Sequence, residues 1–260
     1  MSNKFFPALF TLFFIFTTKG GNSQNLTLGL RGGLGLPNLS SSGGSDISKG
    51  YKTISGPDFG FVMNCSVARQ VDIETGIEWS TQGGQKSGLQ TIPASNELLQ
   101  YFPPGSNIQY LYASFKSTVR LQYLMVPVLL KYMVNLDQAD HWKLYWDGGL
   151  FGALLMTAKA SAMGASKVYY DPGETNPVGP VAIRFDSAGD IKNQLHRGNF
   201  GMEGNVGILY HTDFLSVFAE GGANYGFINL QKNSQNGVNH TGALIFRIGV
   251  LFNPKAGNFH

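Results

Sequence analysis

The stretch NLTLGLRGGLGLPNLS, residues 25–40, admits two incompatible readings. Gly29, Gly32, Gly33 and Gly35 have the density of a loop that wraps a phosphate, whereas Leu26, Leu28, Leu30, Leu34 and Leu36 all fall on even numbers. A phosphate loop needs a strand before it, a helix after it and usually a lysine beside serine or threonine. Pro37 and a Ser/Gly-rich stretch follow instead. Strict alternation marks a strand with one apolar face, so the segment reads as a strand whose other face carries Arg31 and glycines.

The same period recurs along the chain. Phe59, Phe61, Met63, Cys65 and Val67 alternate with Gly60, Asn64 and Ser66, and Val71, Ile73, Ile77 and Trp79 with Asp72, Glu74, Glu78, Ser80 and Gln82. Within residues 118–134, Val119, Leu121 and Tyr123 alternate with Arg120 and Gln122. The phase then blurs near Leu124, and Pro127, which cannot donate to a ladder, predicts a bulge. Residues 143–158 hold Asp147 among apolar neighbours. Three further runs set Phe200, Met202, Val206, Ile208 and Tyr210 against Glu203, then Leu215, Val217, Ala219, Tyr225 and Phe227 against Glu220, then Leu244, Phe246, Ile248, Val250 and Phe252 against Arg247. Each of the eight runs suits the roughly 9–11 residues that a tilted strand needs to cross a bilayer.

Composition agrees. Charged residues are 13% of the chain, about half the usual share of a soluble domain. Beyond the N-terminus no apolar run reaches the roughly 18 residues of a membrane helix. Residues 1–23 read as a secretory leader, with Lys4, an apolar core from Phe5 to Phe16, and Gly21 and Ser23 before the cleavage point. Without them, 19 bases less Lys4 and Lys19 stand against 16 acids. The basic pI therefore speaks for no nucleic-acid partner. Cys65, the single cysteine, forbids an internal disulfide and reads as a buried or lipid-facing thiol.

Connections alternate in length: short at 69–70, 135–142 and 211–213, long near 37–56, 84–117, 159–198 and 231–240. Short periplasmic turns and long outer loops belong to outer-membrane barrels. Tyr132, Trp142, Trp146, Tyr210, Phe214 and Phe252 gather by the short turns, where an aromatic girdle is expected. The fold expected for residues 24–260 is all-β: an eight-stranded, antiparallel, up-and-down transmembrane barrel in the outer membrane. A soluble lipocalin-like barrel would turn its apolar face inward, and its surface has no use for such a girdle.

Four segments carry a family resemblance: LGLRGGLGLPNLS (28–40), IETGIEWSTQGGQK (73–86), YLMVPVLLKYMV (123–134) and WDGGLFGALLMTAK (146–159). In this order they resemble the porin-like or PorT-like outer-membrane β-barrel domain typical of Bacteroidota, and the likeness spans nearly all of residues 24–253. It implies an integral outer-membrane protein and specifies fold better than activity. The chain departs from the pattern at Met125, where the family often has an acidic or polar residue.

An eight-stranded barrel is just wide enough for side chains to fill it. Arg31, Asp72, Glu74, Glu78, Arg120, Lys131, Asp147, Glu203, Glu220 and Arg247 are expected inside as a paired charge network, because a lone buried charge is costly. Function is then expected in the loops. Those at 84–117 and 159–198 carry QYFPPGSNIQYLY and SKVYYDPGETNPVGPVAI, whose tyrosines suit an extracellular protein or glycan. Around the barrel the partner is outer-membrane lipid. Envelope proteins are the alternative, as for a component of a secretion or assembly machine, with a narrow porin or a loop-borne hydrolase as the further alternatives. Asp186, Asp190, His196 and His240 are the candidates for a loop-borne acid–histidine site. No HExxH, GxSxG or paired CxxC occurs, so neither enzyme, metal nor cofactor is expected.

Overall fold

The computed structural model describes residues 26–41, 48–94, 110–212, 214–233 and 237–252, so the expected leader lies outside the described residues. Eight long strands follow one another: β1 (Leu26–Ser41), β2 (Gly56–Ala68), β3 (Val71–Pro93), β4 (Tyr110–Asn135), β5 (Trp142–Met163), β6 (Gly198–His211), β7 (Leu215–Gly226) and β8 (Asn239–Phe252). Each is antiparallel to the next. β8 returns to β1 in a register running from Leu28–Phe252 to Ser41–Asn239. That last ladder closes the sheet, so the main chain satisfies its own hydrogen bonds without water. No helix among the described residues is long and apolar enough to cross a membrane.

Period two separates the faces. Leu30, Phe61, Ile77, Leu130, Val206 and Ile248 point outward and are exposed, while Arg31, Glu74, Glu78, Glu203, Glu220 and Arg247 point inward and are buried. The glycines of the opening stretch find their reason here. Gly29 lies against β8, where a Cβ would stand 2.2 Å from the Val250 carbonyl oxygen. The glycines let β1 approach its neighbour closely, and they leave lumen space for Arg31. A related fit recurs elsewhere on the inner wall. The Tyr145 ring fills the place of a Gly207 side chain, and the Phe218 ring that of Gly249.

β4 corrects one sequence expectation. Counted back from Lys131, every second residue through Leu129, Met125, Tyr123 and Leu121 stays buried, so the strand keeps one phase past Pro127. Leu121 and Tyr123 therefore face inward, and Arg120 is outside the lumen network, exposed, with Nη1 donating to the Ser55 carbonyl at 2.9 Å. The bulge sits on β5 instead: Gln122 faces Thr157 and Tyr123 faces Leu155, leaving Met156 over. β3, β4 and β5 also run further outward than expected, to Pro93, from Tyr110 and to Met163, which shortens the loops predicted at 84–117 and 159–198.

Leu30, Phe61 and Ile77 sit on three successive strands in one cross-strand row. With Leu30 58% and Ile77 54% exposed, a continuous apolar band of this kind fits lipid rather than water. Leu30→Arg and Ile77→Arg should each destabilise the folded barrel in liposomes by about 2–4 kcal/mol. Urea titration followed by heat-modifiable gel migration measures this, and unchanged midpoints for both variants would reject the lipid-facing assignment.

Candidate functional site

The lumen is built around two arginines. Arg247 of β8 reaches Glu78 on β3 at 2.9 Å, Asp58 on β2 at 3.4 Å and Glu203 on β6 at 2.5 Å. Its Nε lies 2.8 Å from Glu220 on β7, off the line of a hydrogen bond, and its Nη2 donates to Asn205 at 3.1 Å. Arg31 of β1 pairs with Glu74 at 2.7 Å, with Glu220 at 3.2 Å and, through Nη2, with Glu78. Lys131 of β4 pairs with Glu74 and lies over the Tyr145 ring at 4.4 Å. From β5, the Tyr145 hydroxyl donates to Glu220 at 2.8 Å. Asp147 accepts from Asn205 at 2.8 Å, and Asp72 is buried two residues from Glu74 on the same face of β3, opposite Lys131. Every strand contributes a side chain.

The ion-paired side chains are 0–4% exposed. Two apolar clusters flank them. Val62, Tyr145, Leu209, Phe218 and Leu251 lie toward the short turns. Leu121, Tyr123, Met125, Phe151 and Leu155 lie toward the long loops, which add Leu195 and Leu230. Sequence reasoning missed Asp58, Tyr145 and both apolar layers. Continuing the β3 and β4 phases without a break would have found the outer layer, whereas Tyr145 and Asp58 carry no local signal beyond their parity.

The aromatic residues expected by the short turns are outward. Tyr132 and Trp146 stand with ring centres 4.9 Å apart, and Trp142 and Tyr210 4.7 Å apart. Phe214 and Phe252 are exposed beside them. A second group, absent from the sequence reading, lies at the opposite ends of β6 and β7. There Phe200 and Tyr225 flank Phe227 at 5.8 and 6.0 Å.

Beyond this level the long loops fold on the overhanging strands. Lys52 exchanges two main-chain bonds with Gln85 of β3. Val168–Tyr169 pairs with Tyr112–Ala113 of β4, burying Val168 with Leu111 and Ala113, and Phe185 stacks on Phe115 at 4.6 Å. Tyr110 and Tyr170 are exposed; most of the loop between β3 and β4, residues 95–109, lies outside the described residues. The acid–histidine candidates have separate partners. The Asp186 carboxylate, held below the usual range by the Gly164 N–H and by Arg184, pairs with Arg184 at 2.7 Å. Asp190 accepts from the Lys192 N–H, His196 meets the Asn229 carbonyl, and His240 stacks on Tyr225.

Residues 22–232 match the family model described as outer membrane protein beta-barrel domain. The chain belongs to this family. It is an outer-membrane β-barrel protein, and the outward apolar band and aromatic groups are its lipid-facing surface. Among solved structures it is similar to Neisserial surface protein A (12% identity, TM-score 0.39, covering 87% of this chain and 96% of that one). It is also similar to Ail, the attachment invasion locus protein of Yersinia pestis (9%, 0.32, 88% and 100%), and to the N-terminal barrel of Pseudomonas aeruginosa OprF (11%, 0.34, 89% and 99%). These likenesses are distant, and the barrel assignment rests on the strand pairing and the family match. No curated protein matches the sequence.

Because Arg247 serves several carboxylates, removing it orphans more buried charge than removing any one acid. Arg247→Ala should destabilise by about 3–5 kcal/mol, and Glu78→Ala added to it should recover part of that loss. Glu74→Ala, whose partners are Arg31 and Lys131, should add its own cost to Arg247→Ala without recovery. Urea midpoints for the two cycles check this, and strictly additive losses in both would mean that the network is solvated.

Proposed function

We propose that the protein works by binding at its extracellular loops, with the lumen as a structural plug and no enzymatic role. The observation that carries this reading is the folded platform beyond the membrane. Overhanging strands and the loop between β5 and β6 build a small core of their own around Leu111, Ala113 and Val168. Such a core holds a surface in one shape, which lowers the ordering cost of binding. The charged layer between two apolar layers supports the complementary half of the reading, because it leaves solute no continuous polar path. The partner class is an extracellular protein or glycan, or another envelope protein.

Two measurements test the reading. Reconstituted protein should show no stable conductance step in planar bilayers; long-lived channels would overturn the plug. Replacing residues 165–190 by a short Gly/Ser turn should leave the barrel heat-modifiable but remove the attachment of expressing cells to surfaces coated with glycoprotein or protein. Attachment equal to that of the intact chain would reject the loop role.

A further inference from the structure

A sheet whose strands differ in length has edges where the longer strands overhang. β3, β4 and β5 outrun their neighbours, so three edges open beyond the membrane. β3's edge is bridged by Lys52 at Gln85 and then interrupted by Gly88 at φ +92° and by Pro93. Irregular backbone and proline are ordinary protections of an edge. β4's edge is taken by Val168–Tyr169, whose far side is bonded in turn by Asn176–Val178: the Val178 N–H meets the Val168 carbonyl at 2.7 Å and the Tyr170 N–H the Asn176 carbonyl at 3.0 Å.

β5's edge is covered by residues 183–190, IRFDSAGD. The register holds constant from Ser166–Ile183 and Ala165–Arg184 to Lys159–Asp190, so the segment is one antiparallel partner of β5. The Phe185 N–H donates to the Gly164 carbonyl at 2.8 Å and the Ile191 N–H to the Ala158 carbonyl at 3.0 Å. Odd residues therefore turn their main-chain groups toward β5. By the alternation of an antiparallel ladder, Arg184, Asp186, Ala188 and Asp190 turn theirs the other way. No described residue pairs with that side, and of the eight residues only Phe185 is not exposed. The open edge runs roughly 20 Å and lacks lysine, proline and bulge, its charges being the Arg184–Asp186 pair and Asp190.

We propose that this edge is a docking strand, which takes up an extended segment of another protein as one further strand of the sheet. The inference rests on the loop-binding function and names its partner class. Free N–H and C=O groups in strand spacing recognise an extended backbone, and the side chains set which one. Arg184, Asp186, Ala188 and Asp190 line one face, where the Arg184–Asp186 pair leaves Asp190 to meet a polar or basic residue. The other face presents the small residues Ser187 and Gly189, beside a depression of about 320 Å³ whose far wall is Val119, Ala160 and Ala162, so an apolar side chain of the added strand meets little polar bulk there. The fitting segment alternates apolar and polar residues. A second copy in the same membrane fits poorly. Its strand runs in the same direction, and the slanted bonds of a parallel pair need a stagger that would lift one barrel along the membrane normal.

The probe is a panel of fluorescent eight-residue peptides in which valine alternates with lysine, threonine or glutamate, titrated by anisotropy against the full-length protein in detergent. At least one member should bind saturably. N-methylation of its alternate amides along one edge should weaken binding tenfold or more. Ala188→Pro, which removes an N–H from the open side and none from the β5 ladder, should do the same in folded barrel. The methylated peptides keep the test decisive even if the proline distorts the loop. Absence of saturable binding across the panel, or equal binding of methylated and unmethylated peptides, would overturn the proposal. Concentration-dependent dimers abolished by Ala188→Pro would overturn it in favour of self-association. If replacement of residues 165–190 abolishes cell attachment while Ala188→Pro preserves it, the loop function stands and the docking edge falls.

Discussion

Arg247 is held by carboxylates from four other strands, and through Glu78 and Glu220 it shares its partners with Arg31. That shared pairing is the interaction on which the interior depends. Main-chain closure at β1–β8 satisfies the backbone but says nothing about what fills the barrel. Alternation places every second residue inside whatever its chemistry, and a guanidinium taken out of water costs several kcal/mol unless it is met on several sides. Here each arginine bridges multiple strands. The charges therefore do more than offset one another, since their geometry penalises any slip in register: moving a strand by one residue would put its charges into lipid and its leucines into the network.

The apolar layers follow from the same economy of space. Tyr145 and Phe218 can lie flat against the inner wall because Gly207 and Gly249, their partners on the next strand, have no side chain. A ring over a glycine fills the lumen without spreading the strands; these two put hydrocarbon on the short-turn side of the ion pairs, and Phe151 over Gly201 does so on the other side. Ion pairs in that setting attract more strongly than in water and are more costly to break singly.

Much of this was legible in sequence, because a strand's parity is a physical property that neighbours cannot override. Nine of the ten charges expected inside are there, and their partners could be anticipated as opposite charges within a narrow lumen. Arg120 fails for an instructive reason. Pro127 invited a break in phase, yet the proline lies in an unbroken β4, and the extra residue that does shift the phase is Met156, one strand on, with nothing in its local sequence to mark it. Leu121 and Tyr123 of the outer layer are misplaced along with Arg120. The loop strand at 183–190 was invisible for a different cause. Its apolar alternation ends after Ile183 and Phe185, and most of its order comes from pairing with β5 across a long loop.

An eight-stranded barrel closed in the membrane has no edge there, so any edge it offers must be made outside by strands of unequal length. Each residue of overhang exposes main-chain groups that loops can cover only by becoming strands themselves, and each covering strand presents a new edge in its turn. Such a series ends when a turn folds back, as Asn176–Val178 does behind Val168–Tyr169, or when backbone irregularity stops it, as at Gly88 and Pro93. Beside β5 neither happens within the described residues, and the series stops on an exposed strand whose far main-chain groups are unpaired. Complete pairing makes the barrel inert in lipid, and unequal strand length is what leaves this stretch of unpaired backbone, among the described residues, beyond the membrane.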